Sequence, residues 1–205
     1  MQHEDERSPQ DALRHFRRFK QGVLLADGRP WRTRFIVDPV DGAVLMPIDP
    51  EVRGADELVL HIPDEGFDAM QALLEQNAFI DGDPGAIADR FMGYHGEPES
   101  AIWLRSTLAA ARWDGTVVDG DDLAIPNALR SAEPALLRAL NSDREVLRAA
   151  LHGLGVEVES PTAVGVDPMG FDVRAAFGIV RAEPGEDMRD GEAARRVVES
   201  LLASV

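Results

Sequence analysis

The sequence predicts a mixed α+β chain in two parts, an antiparallel barrel or sandwich of short strands followed by a small α+β unit. Three observations carry this. From Val23 to Ile62 short apolar or alternating runs are separated by turn residues. Beyond Asn127 the apolar spacing lengthens to three and four residues, the period of helices. The 205 residues, 44% hydrophobic, suffice for one large core or two small ones.

Ser8 followed by Pro9 and Asp11 has the form of an N-cap with proline at the first helical position, and Leu13, Phe16 and Phe19 follow at helical spacing. The chain therefore opens with a short amphipathic helix. Val23 to Ala26, the turn Asp27-Gly28 and a run in which Trp31, Thr33, Phe35 and Val37 alternate with Arg32, Arg34 and Ile36 predict a hairpin. Asp38 to Gly42 is a turn, Ala43 to Ile48 a strand, and Glu57 to Ile62 a further strand that stops at Pro63. Successive strands at such short spacing favour an antiparallel barrel or sandwich.

Ala69 to Ile80 suits two structures: Met70, Leu73, Leu74 and Phe79 have helical spacing, and Leu73 to Ile80 also fits a barrel strand. Asp83-Pro84 starts a helix carrying Ile87, Phe91 and Met92, and Glu97-Pro98 begins a second apolar run through Ile102, Trp103 and Leu104. Ala110 to Trp113, Asp114-Gly115 and Thr116 to Val118 form a last hairpin. The acidic stretch Asp119 to Asn127 then marks a boundary between domains.

Past the boundary, Leu136, Leu137, Leu140, Val146, Leu147 and Leu151 make two helical stripes, divided by a capping box at Ser142 and Glu145 and ended by Gly153 and Gly155. Val156 to Val158, Ala163 to Val166 and Phe171 to Phe177 read as strands. Asp190 to Leu202 closes the chain as a helix with Ala193, Val197, Val198 and Leu201 on one face.

Composition narrows the partners. Lys and Arg total 21 against 37 Asp and Glu, a formal charge of -16, so nucleic acid and anionic membrane surfaces are repelled at long range. The absence of cysteine excludes disulfides, thiolate catalysis and cysteine metal sites. Met1 to Gln10 is polar and acidic, without the apolar stretch of a secretory signal, and no apolar run reaches the roughly 18 residues of a membrane span. The expectation is a cytoplasmic protein.

Arg32 and Arg34 lie two apart on a strand and share a face, where forked donors can clamp a phosphate or carboxylate or pair with acidic neighbours on an outward surface. Thr33 faces the other way with Trp31 and Phe35, toward a core. His61 alternates with apolar neighbours and suits a base, an axial ligand or a plain strand histidine; His95 lies in a loop beside Tyr94, the single tyrosine. Trp31, Trp103 and Trp113 suit either a barrel core or a stacking platform. The five histidines have no zinc spacing. Asp81-Gly82-Asp83 and Asp119-Gly120-Asp121-Asp122 lack the calcium-loop pattern, and there is neither a nucleophile elbow nor a phosphate-binding glycine loop.

Two segments of the tail carry a family likeness. Gly165-Val166-Asp167-Pro168-Met169-Gly170-Phe171-Asp172-Val173-Arg174 resembles the turn of a haem-utilisation-type C-terminal domain. Glu133 to Ala150 resembles the segment holding that domain's His-Met-Asn-x-Asp-His signature. Asn141 and Asp143 match the signature, while its two histidines are replaced by Ala139 and Arg144. In the first part, Val23 to Val37 resembles the opening hairpin, and Arg90 to Trp103 the helix pair, of the pyridoxamine 5'-phosphate oxidase-like, FMN-binding split barrels. The resemblance implies an N-terminal antiparallel split β-barrel over residues 1–125 and a haem-utilisation-type α+β domain over 126–205.

The resemblance further implies a homodimer that binds FMN and serves as an oxidoreductase, with Arg32, Thr33, Arg34 and His95 as cofactor-binding residues. It offers haem as an alternative ligand. Where flavin-binding relatives carry phosphate-gripping Ser, Thr, Lys or Arg, this chain has Met46-Pro47-Ile48-Asp49-Pro50-Glu51, whose carboxylates repel a phosphate. A cofactor-free regulatory or binding module on the same scaffold is therefore the second reading.

Overall fold

A computed structural model of the chain describes residues 8–186 and 188–204, and it divides into two compact units. The first comprises residues up to 92 together with 96–126; the second comprises 127 onward together with 93–95. Residues 1–7 of the polar N-terminal stretch lie outside the described residues.

The first unit opens with α1 (Pro9–Arg18). Ser8 caps it as its spacing predicts: the Ser8 hydroxyl accepts from the Asp11 N–H, and Asp11 reaches back to the Ser8 N–H. Leu13 and Phe16 are buried, with the Phe16 ring 6.2 Å from Phe35.

Eight strands follow in one antiparallel sheet: β1 (Gln21–Ala26), β2 (Arg29–Arg34), β3 (Ile36–Val37), β4 (Val44–Pro47), β5 (Leu58–Ile62), β6 (Met70–Asp81), β7 (Ile102–Trp113) and β8 (Thr116–Asp119). Their order is β2-β1-β5-β6-β7-β4-β3, with β8 added to β7. Only Phe35 separates β2 from β3, so the two ends of this path are one stretch of chain and the sheet curls back on itself. Leu24, Leu60, Ala72, Ala111 and Val118 are partners across successive strands, and all are buried, which places this row inside the curl.

Two tight turns come directly from sequence. Asp27-Gly28 joins Ala26 to Arg29, and Asp114-Gly115 joins Trp113 to Thr116; all four turn residues have positive φ, the two-residue hairpin geometry that Asp-Gly favours.

The ambiguous segment is β6. Met70, Ala72 and Leu74 are buried with Gln71 and Leu73 exposed between them, a period of two that pairing with β5 and β7 enforces. Its ladder to β7 is irregular between Glu75 and Ala78, where Gln76 takes positive φ. The buried Ser106 hydroxyl lies 2.8 Å from the Glu75 carbonyl and 2.7 Å from the Asn77 carboxamide oxygen, so its one proton finds an acceptor at that irregularity.

Between β6 and β7 there is one helix rather than a pair, α2 (Ala86–His95). The apolar run Ile102 to Leu104 instead begins β7, where Trp103 and Leu104 are buried by pairing on both sides, with β4 and β6.

The second unit contains α3 (Glu133–Leu140), α4 (Arg144–Gly153), β9 (Thr162–Asp167), β10 (Gly170–Ala175), β11 (Gly178–Ala182) and α5 (Gly191–Ala203), the strands in the order β11-β10-β9. Leu136, Leu140, Leu147, Leu151, Phe171, Val173 and Val198 form its core. The cap of α4 is Asp143, not Ser142: the Asp143 carboxylate accepts from the N–H groups of Glu145 and Val146, while Ser142 donates back to the Ala139 carbonyl. A carboxylate is favoured at this position by the helix dipole as well.

The C-terminus of α4 closes with Gly155 in the left-handed region. Val156 N–H bonds the Leu151 carbonyl and Gly155 N–H the His152 carbonyl. That closure uses Val156, and no strand forms over Val156 to Val158. Gly178–Ala182, a segment with no element expected from sequence, is the strand that completes the sheet beside β10.

Candidate functional site

A cleft of about 1070 Å³ opens in the first unit. It lies where β2 stands at the end of the strand path, paired to β1 on one side only. A strand with one open edge presents residues of both faces to the space beside it, and Trp31, Arg32, Thr33 and Arg34 all line the cleft. The facing wall is Pro47, Ile48 and Asp49, at the end of β4, with Val52 in the following 3₁₀ turn. The segment after β5 adds Asp64 and Glu65, and the segment before β7 adds Glu97 and Glu99.

The charges on this lining are unequal. Arg32 and Arg34 stand against Asp49, Asp64, Glu65, Glu97 and Glu99, two guanidiniums against five carboxylates. Arg34 already pairs with Glu99, Nη2 to Oε1 at 3.4 Å. Arg29, next to the cleft, pairs with Glu51 at 3.1 Å and holds its guanidinium 5.7 Å from the Trp31 ring. Apolar surface comes from the half-exposed Trp31, from Phe91 and from Pro30, Pro47, Pro63 and Pro98.

Of the expected cofactor residues, Arg32, Thr33 and Arg34 thus lie together. Both arginines are exposed, and the Thr33 hydroxyl bonds the Arg34 carbonyl at 3.3 Å. His95 is the last residue of α2, belongs to the second unit, and does not line the cleft. His61 is half-buried on β5, its Nδ1 buried and without a hydrogen-bond partner among the described residues. Trp103 is core, its ring edge-on to Phe91 at 5.1 Å, and Trp113 stacks on His15 at 4.5 Å.

Sequence reasoning singled out Asp49 but not the other four carboxylates. They come from two connecting segments far apart in the chain, and no spacing rule links them; only the fold collects them.

The residues present do not fit the phosphate of FMN. A dianion entering here meets five carboxylates and finds one of the two arginines engaged. Haem finds no axial ligand in this cleft, since its described lining holds neither histidine, methionine nor tyrosine. Among the described residues no group of three or more His, Asp or Glu is placed to hold a metal ion, and no helix is long and apolar enough to cross a membrane.

The motifs of the tail have structural roles. Asp167 accepts from the Met169 N–H at 2.9 Å, shaping the two-residue turn between β9 and β10, and also pairs with Arg181. Gly170 is required by contact: a Cβ there would lie 2.3 Å from the Ala182 carbonyl oxygen. Asp172 bonds Arg181 at 3.1 Å and accepts from the Tyr94 hydroxyl at 2.9 Å, all three side chains lying in the second unit.

No family model and no curated protein matches the chain. Among solved structures, Atu2129, a protein of unknown function from Agrobacterium tumefaciens, matches with a TM-score of 0.69 at 16% identity, over 94% of this chain and 96% of its own. That likeness shows a shared fold. A haem-binding protein from Mycobacterium smegmatis aligns over 97% and 98% at 16% identity, with a TM-score of only 0.40.

Proposed function

We propose that this chain is a small-molecule-binding protein whose ligand, a flat organic molecule, seats in the cleft beside β2. The observation that carries the reading is the cleft itself, about 1070 Å³, with Trp31 and four prolines for apolar contact and Arg32 as an exposed polar anchor. Concave clefts of about this size are the usual form of small-molecule sites. The split-barrel resemblance supports a site in this unit, and the charge of the lining turns the reading away from FMN and from a flavin oxidoreductase.

The test is a thermal-shift screen of flat heterocycles against the native chain and against Thr33→Trp, which puts an indole into the cleft beside Trp31 and Arg32. Hits that raise the melting temperature of the native chain and not of the variant support the reading. A screen without hits, or hits that shift both proteins alike, overturns it. Absorption titrations with FMN and haemin run beside it: saturable flavin binding restores the flavoenzyme reading, and a Soret shift restores the haem one.

The homodimer that the resemblance implies is a separate proposal. Sedimentation equilibrium at micromolar concentration tests it, a 22.4 kDa species ruling it out.

A further inference from the structure

We infer that the cleft selects its ligand by charge, admitting a flat ring that is neutral or positive and rejecting the same kind of ring when it carries phosphate. This rests on the small-molecule reading above and names the class of ligand.

Three features of the cleft lead here. The carboxylates come from separate segments: Asp49 after β4, Asp64 and Glu65 after β5, Glu97 and Glu99 before β7. A ligand lying along Trp31 therefore meets negative charge from more than one direction. The field is only partly cancelled locally: Arg34 offsets Glu99, Arg29 is engaged with Glu51, and among the described residues Arg32 is the lining guanidinium with no ion pair or hydrogen bond. Charges on one concave surface act on a bound ligand through little intervening solvent, and 0.1 M salt screens them only over about 10 Å.

Arg32 sets a limit on the selection. One exposed guanidinium offers forked donors to a carbonyl or ring nitrogen, which a neutral heterocycle supplies. A phosphate monoester brings nearly two negative charges, more than that one group can offset. Trp31 adds a face on which a planar cation gains further attraction.

Three fused tricyclic probes of differing charge test this: proflavine, a cation; riboflavin, neutral; and FMN, its phosphate ester. Fluorescence titration of the native chain at 50 and 300 mM salt should rank their affinities proflavine, then riboflavin, then FMN, with riboflavin about tenfold or more above FMN at low salt. Raising salt should weaken proflavine and strengthen FMN. A variant carrying Asp64→Asn, Glu65→Gln and Glu97→Gln should lose most of the proflavine preference. A control carrying Asp121→Asn, Asp122→Asn and Glu199→Gln, of the same net charge, should keep it.

FMN binding as tightly as riboflavin overturns the inference while leaving the small-molecule reading intact. Equal losses in the two variants also overturn it, since the effect would then come from overall charge. If none of the three rings binds, the charge selection and the flat-ligand reading fall together.

Discussion

Asn141 holds Ala163 with both ends of its carboxamide, Nδ2 donating to the Ala163 carbonyl at 2.8 Å and Oδ1 accepting from the Ala163 N–H at 2.9 Å. The neighbouring free site on the same strand is treated alike: Val166 donates its N–H to Glu133 at 2.9 Å and accepts from Asn127 at 2.7 Å. β9 is the edge of its sheet, and these side chains occupy backbone groups that another strand could otherwise pair with. Asn141, one of the two residues that match the haem-utilisation signature, is thus an edge cap.

Asn141→Ala is expected to cost about 1–3 kcal/mol, because it strips partners from two backbone groups at once. Urea denaturation measures it. A loss below about 0.5 kcal/mol would show that water replaces the carboxamide without penalty.

Arg181 is expected to be the most sensitive position of the second unit outside its apolar core. Burial alone would lower its pKa, but Asp172 and Asp167 more than reverse that and raise it above the ordinary arginine value. Its charge is therefore retained throughout the working pH range. Arg181→Met leaves buried carboxylates without their cation and should cost about 3–5 kcal/mol. Tyr94→Phe removes the hydroxyl's hydrogen bond to Asp172 and should cost about 1 kcal/mol. Equal effects of the two substitutions would contradict this division.

His15 should titrate below its ordinary value of 6.5. Burial lowers its pKa, and the contact between Nε2 and the Ile62 carbonyl, 3.4 Å away, offsets only part of that. With the folded value below the unfolded one, the unfolded chain takes up the proton first, and stability falls as pH drops from 6.5 through the folded value. Proton NMR of His15 gives the midpoint directly, and one at or above 6.5 would contradict the burial seen here. Fluorescence from Trp113, stacked on the ring, should change over the same interval.

Asp41, at the turn between β3 and β4, shows an acid dependence of the same sign at lower pH. Burial would raise its pKa, yet the Ala43 N–H and the Arg105 guanidinium together bring it below the ordinary 3.8. Its stabilising effect is present above that value and is lost as pH falls through the lower folded one. Melting temperatures of the native chain and Asp41→Asn should differ at pH 6 and converge toward pH 2. A constant gap would mean that the carboxylate's charge is not what matters.

Elements whose signal is local were legible in the chain itself. Ser8 with Asp11, Asp27-Gly28, Asp114-Gly115, Gly155 and Asp190 each set backbone geometry through their own φ preference or through hydrogen bonds within a few residues. The alternation that marked β2 and β5 is also local, since it repeats within one strand. Arg32, Thr33 and Arg34 could be grouped for the same reason, being neighbours on one strand.

What the tertiary structure decided depends on residues distant in sequence. Met70 to Asp81 has apolar spacing that serves a helix or a strand equally, and pairing with β5 and β7 selected the strand by burying Met70, Ala72 and Leu74. The competition between Ser142 and Asp143 for the cap of α4 turned on which side chain reaches the free N–H groups. The cleft was decided last and least locally. Its acidity comes from Asp49, Asp64, Glu65, Glu97 and Glu99, which share no spacing and acquire a common field only when the curled sheet brings their segments to one opening. Electrostatic energy depends on distance in space, and that distance is set by the fold.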